Sequence, residues 1–264
     1  MTEESMEDNF LKVAKQAALE AGKVIQKYSG KDQHKNVKHE DPTDYATEAD
    51  IEAEKIIVKI LTASFPDHNI LAEEQTNINR KSEYTWVIDP LDGSISFAQG
   101  VPYFSVSIGL LKEGMPILGV VYNISFKQLY WAQTGHGAYL NGKAISVSQK
   151  KSLNESVGSL DFGHNIKRQY KLDLYVNKLI NKVGYIYSFG STVASLGLVA
   201  EGVLDLYVNY AYLWDFMAGA VIVREAGGKV TDFEGKEPDW TKERLNVIAS
   251  NGIIHDQILE ALKL

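Results

Sequence analysis

Apolar residues recur at three- and four-residue intervals from Phe10 through Val13, Ala14, Ala17, Ala18 and Ala21 to Ile25, a spacing that places them on one face of a helix. The pattern predicts an amphipathic helix over 8–28 that ends near Gly30, because glycine readily adopts the left-handed turn that closes helices. Residues 31–44 are charged and poor in apolar side chains; they read as a mobile surface loop and a candidate lid. A second helix is expected over 47–65.

From residue 85 the period shortens. Runs of β-type residues at 85–88, 104–111, 116–122 and 128–132, followed by a turn at Asn141-Gly142, predict a mainly antiparallel sheet. The remainder alternates: a polar helix over 165–182, a strand at 185–188, a helix over 192–201, a strand at 204–208, and an apolar helix over 215–225 stopped by Gly227-Gly228. No repeat, low-complexity tract or linker interrupts the chain. One domain over 1–264 is expected, with a lobe of helices and antiparallel sheet over 1–150 and an α/β lobe over 151–264. Long helices mixed with a meandering sheet point to a layered α+β architecture.

Composition narrows the chemistry. With no cysteine, thiol nucleophiles, zinc-thiolate sites, iron-sulfur clusters and redox motifs are excluded. The net charge of -7 argues against a nucleic-acid polymer held on a general basic surface, though a small nucleotide in a local pocket stays open. No apolar run approaches the roughly 20 residues that cross a bilayer, and Met1 to Asn9 is acidic and polar, unlike a leader. A cytoplasmic chain without a membrane partner is expected. The six histidines, His34, His39, His68, His136, His164 and His255, show no pair at metal-ligand spacing, and most read as surface or loop residues.

The segment Asp89-Pro90-Leu91-Asp92-Gly93-Ser94 follows the apolar run Trp86-Val87-Ile88. Two hard oxygen donors therefore leave a sheet edge on a turn shaped by proline and glycine. Beyond Gly93, a helical turn beginning at Ser94 would offer N–H groups and a hydroxyl to an anion. Cation ligands beside phosphate donors suit phosphoryl transfer. Asp-Pro-x-Asp-Gly is equally the composition of a plain surface turn. Two further sites carry carboxylates: Glu73-Glu74, which could be merely solvated, and Trp214-Asp215, where Asp215 could be a helix N-cap. The two-residue gap between Asp89 and Asp92 disfavours an Asp-x-Asp phosphatase with a nucleophilic aspartate.

Taken together, Asp-Pro-Leu-Asp-Gly-Ser, the upstream Glu-Glu and the later Trp-Asp-x-x-Ala-Gly leading to Glu-Ala-Gly-Gly resemble the inositol monophosphatase family over about residues 7–262. The resemblance implies an αβαβα sandwich of the inositol monophosphatase and fructose-1,6-bisphosphatase type. It also implies a lithium-sensitive, magnesium-dependent phosphomonoesterase that uses two to three ions per site, works as a homodimer and acts by metal-activated water attack. The implied metal ligands are Glu73, Asp89, the Leu91 carbonyl, Asp92 and Asp215. Gly93 and Ser94 would receive the phosphate, Asp50 would hydrogen-bond the Ser94 hydroxyl, and Ser94 with Glu73 would orient the attacking water. Thr47-x-x-Asp50 is also a capping-box-like helix start. Asp92, Asp215 and Asn209 would face the substrate, Asn209 standing where the family has an inositol-contacting glutamate. The expected substrate is inositol monophosphate or a related sugar phosphate. Alternatives are fructose 1,6-bisphosphate, a nucleotide 3′-phosphate or the 2′-phosphate of NADP, and a non-catalytic, magnesium-responsive regulatory protein.

Overall fold

The structure is a computed structural model that describes residues 3–30, 35–38 and 41–263. In chain order, helix α1 (Glu3–Tyr28) leads to strands β1 (Lys35–Lys38) and β2 (Asp41–Thr47), then helix α2 (Glu48–Ser64). Strands β3 (Asn69–Ala72), β4 (Asn77–Ile78) and β5 (Tyr84–Asp92) precede the short helix α3 (Ser94–Ala98). Next come β6 (Ser105–Lys112), β7 (Met115–Asn123), β8 (Gln128–Gln133), β9 (Ala138–Leu140), β10 (Lys143–Ile145) and β11 (Val157–Leu160). Helices α4 (Asn165–Lys171) and α5 (Asn177–Leu179) flank a π-helical segment, Leu172–Val176, and β12 (Tyr185–Tyr187), α6 (Thr192–Ala200) and β13 (Leu206–Tyr212) follow. The chain closes with α7 (Leu213–Glu225), β14 (Lys229–Thr231), β15 (Arg244–Ser250) and α8 (His255–Lys263).

The strands form an eight-stranded sheet in the order β10-β9-β8-β7-β6-β5-β3-β4 and a five-stranded sheet in the order β12-β11-β13-β15-β14. Helices α1 and α2 pack on the outer face of the larger sheet, α6 and α7 lie between the two sheets, and α5 and α8 cover the smaller sheet. This is the expected layered αβαβα arrangement, and strand periodicity explains it. Along β5, Trp86 and Ile88 enter the core under α1 and α2, whereas Val87 enters the core between the sheets. Along β13, Tyr207 and Ala211 face that same middle core, and Leu206 and Val208 face the core beneath α8. Each sheet is covered on both faces, so its strands read as nearly continuous apolar runs.

Helix α7 is buried from Phe216 through Val223, as an apolar helix between two sheets must be. Its approach to the larger sheet depends on glycine: a Cβ at Gly119 would lie 2.1 Å from the Ala218 carbonyl oxygen. The expected loop over 31–44 lies partly outside the described residues, together with His34 and His39; within them, β1 and β2 pair antiparallel. His255 departs from the surface expectation. It is fully buried, with Nε2 2.8 Å from the Thr231 hydroxyl and Nδ1 2.8 Å from the Ser250 hydroxyl, and burial pushes its pKa down to about 4.

Candidate active site

The acidic residues meet because of strand pairing. Strands β3 and β5 run parallel with Ala72 opposite Ile88, so the next residues, Glu73 and Asp89, emerge side by side. The Glu73 amide donates to the Ile88 carbonyl at 3.1 Å. On the other edge of β5, the pairing with β6 shifts between Asp89 and Asp92, where Pro90 has no N–H to give a neighbouring strand. Gly93 then turns the chain at φ +89, and a Cβ there would stand 2.9 Å from the Tyr103 carbonyl oxygen. The first bond of α3 runs from the Phe97 amide to the Gly93 carbonyl at 2.9 Å, so the amides ahead of it have no partner within the turn.

Each carboxylate has one oxygen fixed by the chain. Asp89 Oδ1 accepts from the Leu91 amide at 3.0 Å. Asp92 Oδ2 accepts from the Ser191 hydroxyl and from the Val193 amide, the latter at 2.9 Å. Asp215 Oδ2 accepts from the Tyr212 amide at 2.8 Å. Asp215 is therefore the third residue of α7, and Tyr212, not Asp215, is its N-cap. One oxygen from each of Asp89, Asp92 and Asp215 lies within 4.8 Å of the others.

Burial and mutual repulsion disfavour this much negative charge. Desolvation followed by the charges of Glu73, Asp92 and Asp215 lifts Asp89 well above the usual carboxylate range. Desolvation and then Asp92 and Glu73 do the same for Asp215. Asp92 is pushed up to about 7 by burial, against the pull of its Ser191 and Val193 bonds. Asp89 Oδ2 is buried and receives no hydrogen-bond donor. A buried carboxylate oxygen without a donor, in a ring of like charges, is what a hard divalent cation would satisfy. The donor set fits such an ion.

Asp50 serves two partners. Its Oδ2 accepts from the Thr47 amide at 2.8 Å, the capping contact, while its Oδ1 accepts from the Ser94 hydroxyl at 2.6 Å. The two sequence readings of Asp50 therefore coexist on separate oxygens. The Ser94 oxygen is also 2.9 Å from the Leu91 carbonyl. Burial raises Asp50 to about 6, so near neutral pH the ionised form receives the Ser94 proton.

Asn209 is 1 % exposed. Its Nδ2 donates to the Thr192 hydroxyl at 3.1 Å and to the Tyr207 hydroxyl at 2.9 Å. Its Oδ1 accepts from Lys171 Nζ at 2.8 Å and the Tyr175 hydroxyl at 3.1 Å. With the amide engaged at both ends, Asn209 presents no group to a substrate in this structure.

Several contributors were not singled out in the sequence. Ser191 caps α6, accepting from the Ala194 amide at 3.2 Å while donating to Asp92; the signal was Gly190-Ser191-Thr192 ahead of an apolar helix. Glu54, buried in α2, grips the turn after Glu73 through the amides of Glu74, Gln75 and Thr76 at 2.9, 3.0 and 2.8 Å. Lys171 had no signal beyond its charge. Trp86 is packing: it is fully buried and donates to His68 Nδ1 at 3.1 Å. Trp214 stacks on Tyr212 at 4.8 Å.

Hard oxygens gathered at the ends of parallel strands, next to a hydroxyl and helix-start amides in a sandwich of two covered sheets, place the molecule among the metal-dependent phosphatases. The chain belongs to the inositol monophosphatase family, whose profile matches residues 6–263. It is 37% identical over 256 residues to a fructose-1,6-bisphosphatase/inositol-1-monophosphatase of Aquifex aeolicus, covering 96% of this chain and 95% of that protein. It is 38% identical over 265 residues to inositol monophosphatase 2 of Solanum lycopersicum, covering 97% and 98%. The crystal structure of the extragenic suppressor protein SuhB from Bartonella henselae superposes with a TM-score of 0.89 at 34% identity, covering 97% of this chain and 98% of that one.

Proposed function

We propose that this phosphatase hydrolyses inositol monophosphate or a related sugar phosphate with magnesium, using two to three ions per site. The observation that carries the reading is the convergence of Asp89, Asp92 and Asp215 beside the Ser94–Asp50 pair. A bound divalent cation would neutralise phosphate oxygens and lower the pKa of water. Glu73, Asp89, the Leu91 carbonyl, Asp92 and Asp215 would hold the ions. The amides at Gly93 and Ser94 would hold the phosphate at the start of α3. Ser94, its proton drawn toward Asp50, presents its lone pairs to a water, and Glu73 fixes that water from the other side. The water oxygen bonds to phosphorus as the ester P–O bond breaks; the attacking water gives up one proton to solvent past Ser94 and Glu73, and the leaving alkoxide takes one proton from solvent water near Asp215. No serine, cysteine or histidine nucleophile is required.

Family membership supports lithium inhibition and a homodimer. Among the described residues no helix is long and apolar enough to cross a membrane. A second reading, hydrolysis of fructose 1,6-bisphosphate, is favoured by the paired name of the Aquifex relative.

Phosphate release from inositol 1-phosphate and from fructose 1,6-bisphosphate, with magnesium and with chelator, tests the proposal. Turnover is expected only with magnesium. Chelator-resistant turnover, or none on either ester, overturns it.

A further inference from the structure

The smaller sheet has a binding edge of its own. Strands β12, β11 and β13 run parallel, and ligands of such sheets collect beyond the carboxyl ends of the strands. Strand β13 ends at Tyr212, and the antiparallel strand β15 begins at the same edge with Arg244 directly opposite Tyr212. The Tyr212 amide is the donor that holds Asp215 Oδ2 at 2.8 Å. Strand register and one backbone hydrogen bond therefore set Arg244 beside the acidic cluster.

The guanidinium is fixed there without being neutralised. Its carbon lies 3.8 Å from the centre of the Tyr212 ring and 6.0 Å from that of Tyr210. Tyr212 in turn stacks on Trp214, with centroids 4.8 Å apart and planes 11° apart. Stacking occupies the flat face of the planar fork and pre-organises it, while its N–H groups hydrogen-bond in the plane, around the rim. Among the described residues no carboxylate pairs with Arg244 and no acceptor receives a hydrogen bond from its side chain. Trp214 Nε1, in the same stack, is buried and likewise has no acceptor. This corner of the sheet holds donors and a permanent positive charge, and the acceptors come from outside the protein.

Location selects the ligand. Asp89 and Asp92 end a strand of the larger sheet, whereas Asp215 follows β13 of the smaller one, so the cluster lies between the two sheet ends. With the scissile phosphate at Gly93 and Ser94, as proposed above, the alcohol portion of the ester passes Asp215 toward the edge that carries Arg244. A neutral polyol offers a guanidinium only hydroxyl acceptors. A second phosphate or carboxylate takes two parallel charge-assisted bonds, which are roughly twice as strong as neutral ones.

We propose that Arg244 is a specificity-determining residue that binds a second anionic group on the alcohol portion of the substrate, favouring sugar bisphosphates over neutral polyol monophosphates. The inference rests on the phosphatase reading.

The test compares kcat/KM for fructose 1,6-bisphosphate and inositol 1-phosphate in the magnesium-loaded enzyme. Arg244→Gln should lower the bisphosphate-to-monophosphate ratio by at least about tenfold, the size of a lost hydrogen bond between charged groups, chiefly through the KM of the bisphosphate. Arg244→Lys should keep part of the ratio, because the charge stays while the planar fork is lost. Arg244→Met, whose stem still covers the Tyr212 ring, should give the same fall as Arg244→Gln and serves if the glutamine variant does not fold. A ratio unchanged in folded Arg244→Gln or Arg244→Met, with both substrates slowed alike, shows that the arginine is only structural and overturns the proposal. Turnover of inositol 1-phosphate with none of fructose 1,6-bisphosphate by the unmodified enzyme overturns this inference alone. Absence of turnover on either ester overturns the phosphatase reading, and this inference with it.

Discussion

Asp92 divides its two oxygens between the fold and the chemistry: Oδ2 is tied to Ser191 and Val193 at the start of α6, and the carboxylate joins Asp89 and Asp215 in the cluster. Asp92→Asn should lower magnesium-dependent turnover by more than about a hundredfold, in keeping with the loss of a charged group that organises transition-state charge. The same variant should raise the thermal midpoint of the metal-free protein, because it removes one of several crowded charges. Phosphate-release kinetics and calorimetry with chelator read the two effects separately. Acidity follows from the same crowding. A carboxyl whose folded pKa lies above its unfolded value stabilises the fold below the unfolded value, and that contribution is lost as pH rises through the folded one. For Asp92 the window runs from 3.8 to about 7, and Asp50, Asp89 and Asp215 are shifted in the same direction. His255 opposes them, since its contribution is lost as pH falls from 6.5 through about 4. The metal-free protein should therefore lose stability relative to its magnesium-loaded form between pH 5 and 8, with a shallower trend in Asp92→Asn; parallel melting curves across that range would contradict this. At this scale the sequence was informative where residue type and spacing coincide, as in Asp89 and Asp92. Ser191 stands 99 positions from the carboxylate it binds, a contact that no local pattern encodes.

Among the elements, α2 and the turn after β3 are fastened by one side chain. The Glu54 carboxylate takes three backbone amides and the Thr76 hydroxyl, and the turn it holds directly follows Glu73. Glu54→Gln would set an N–H2 group against those donors. It should destabilise the protein by about 1–3 kcal/mol, the usual cost of a buried donor left unsatisfied, and raise the magnesium concentration needed for half-maximal activity. Denaturant melts and a magnesium titration check both; an unchanged titration would separate Glu54 from the site. The helices and the antiparallel strands were largely legible in their periods. Strand β3 has no clear mark in the sequence, because a four-residue apolar run cannot distinguish a strand from a buried helix segment. Strand β15 was not read at all: it lies between β13 and β14, and its buried residues show no clean alternation. The π-helical segment was read as ordinary helix, since the insertion leaves no compositional mark.

For the whole molecule, the proposed homodimer has a candidate face. Tyr187 stacks on Phe189 at 4.9 Å and Phe189 on Tyr103 at 4.6 Å, and Tyr185, Tyr187 and Phe126 are exposed. Aromatic surface of this kind is enriched at protein interfaces. Strand β12, which carries two of these tyrosines, is an edge of its sheet. Tyr187→Asp should convert a dimer into a monomer by light scattering, and a dimer that survives the change places the contact elsewhere. Layer order could be argued from alternating strands and helices, but which face associates could not, because an exposed tyrosine reads the same in sequence wherever it points.

The acidic pocket draws on residues from Asp50 to Asp215, supplied by the ends of both sheets and by four helices. No fragment of the chain contains it, and an unfolded chain offers it no counterpart. Binding confined to the native form adds its full free energy to folding. Available cation therefore sets how much of this polypeptide survives heat and proteolysis as well as how fast it turns over, and scarcity of the ion reduces the enzyme's amount along with its rate.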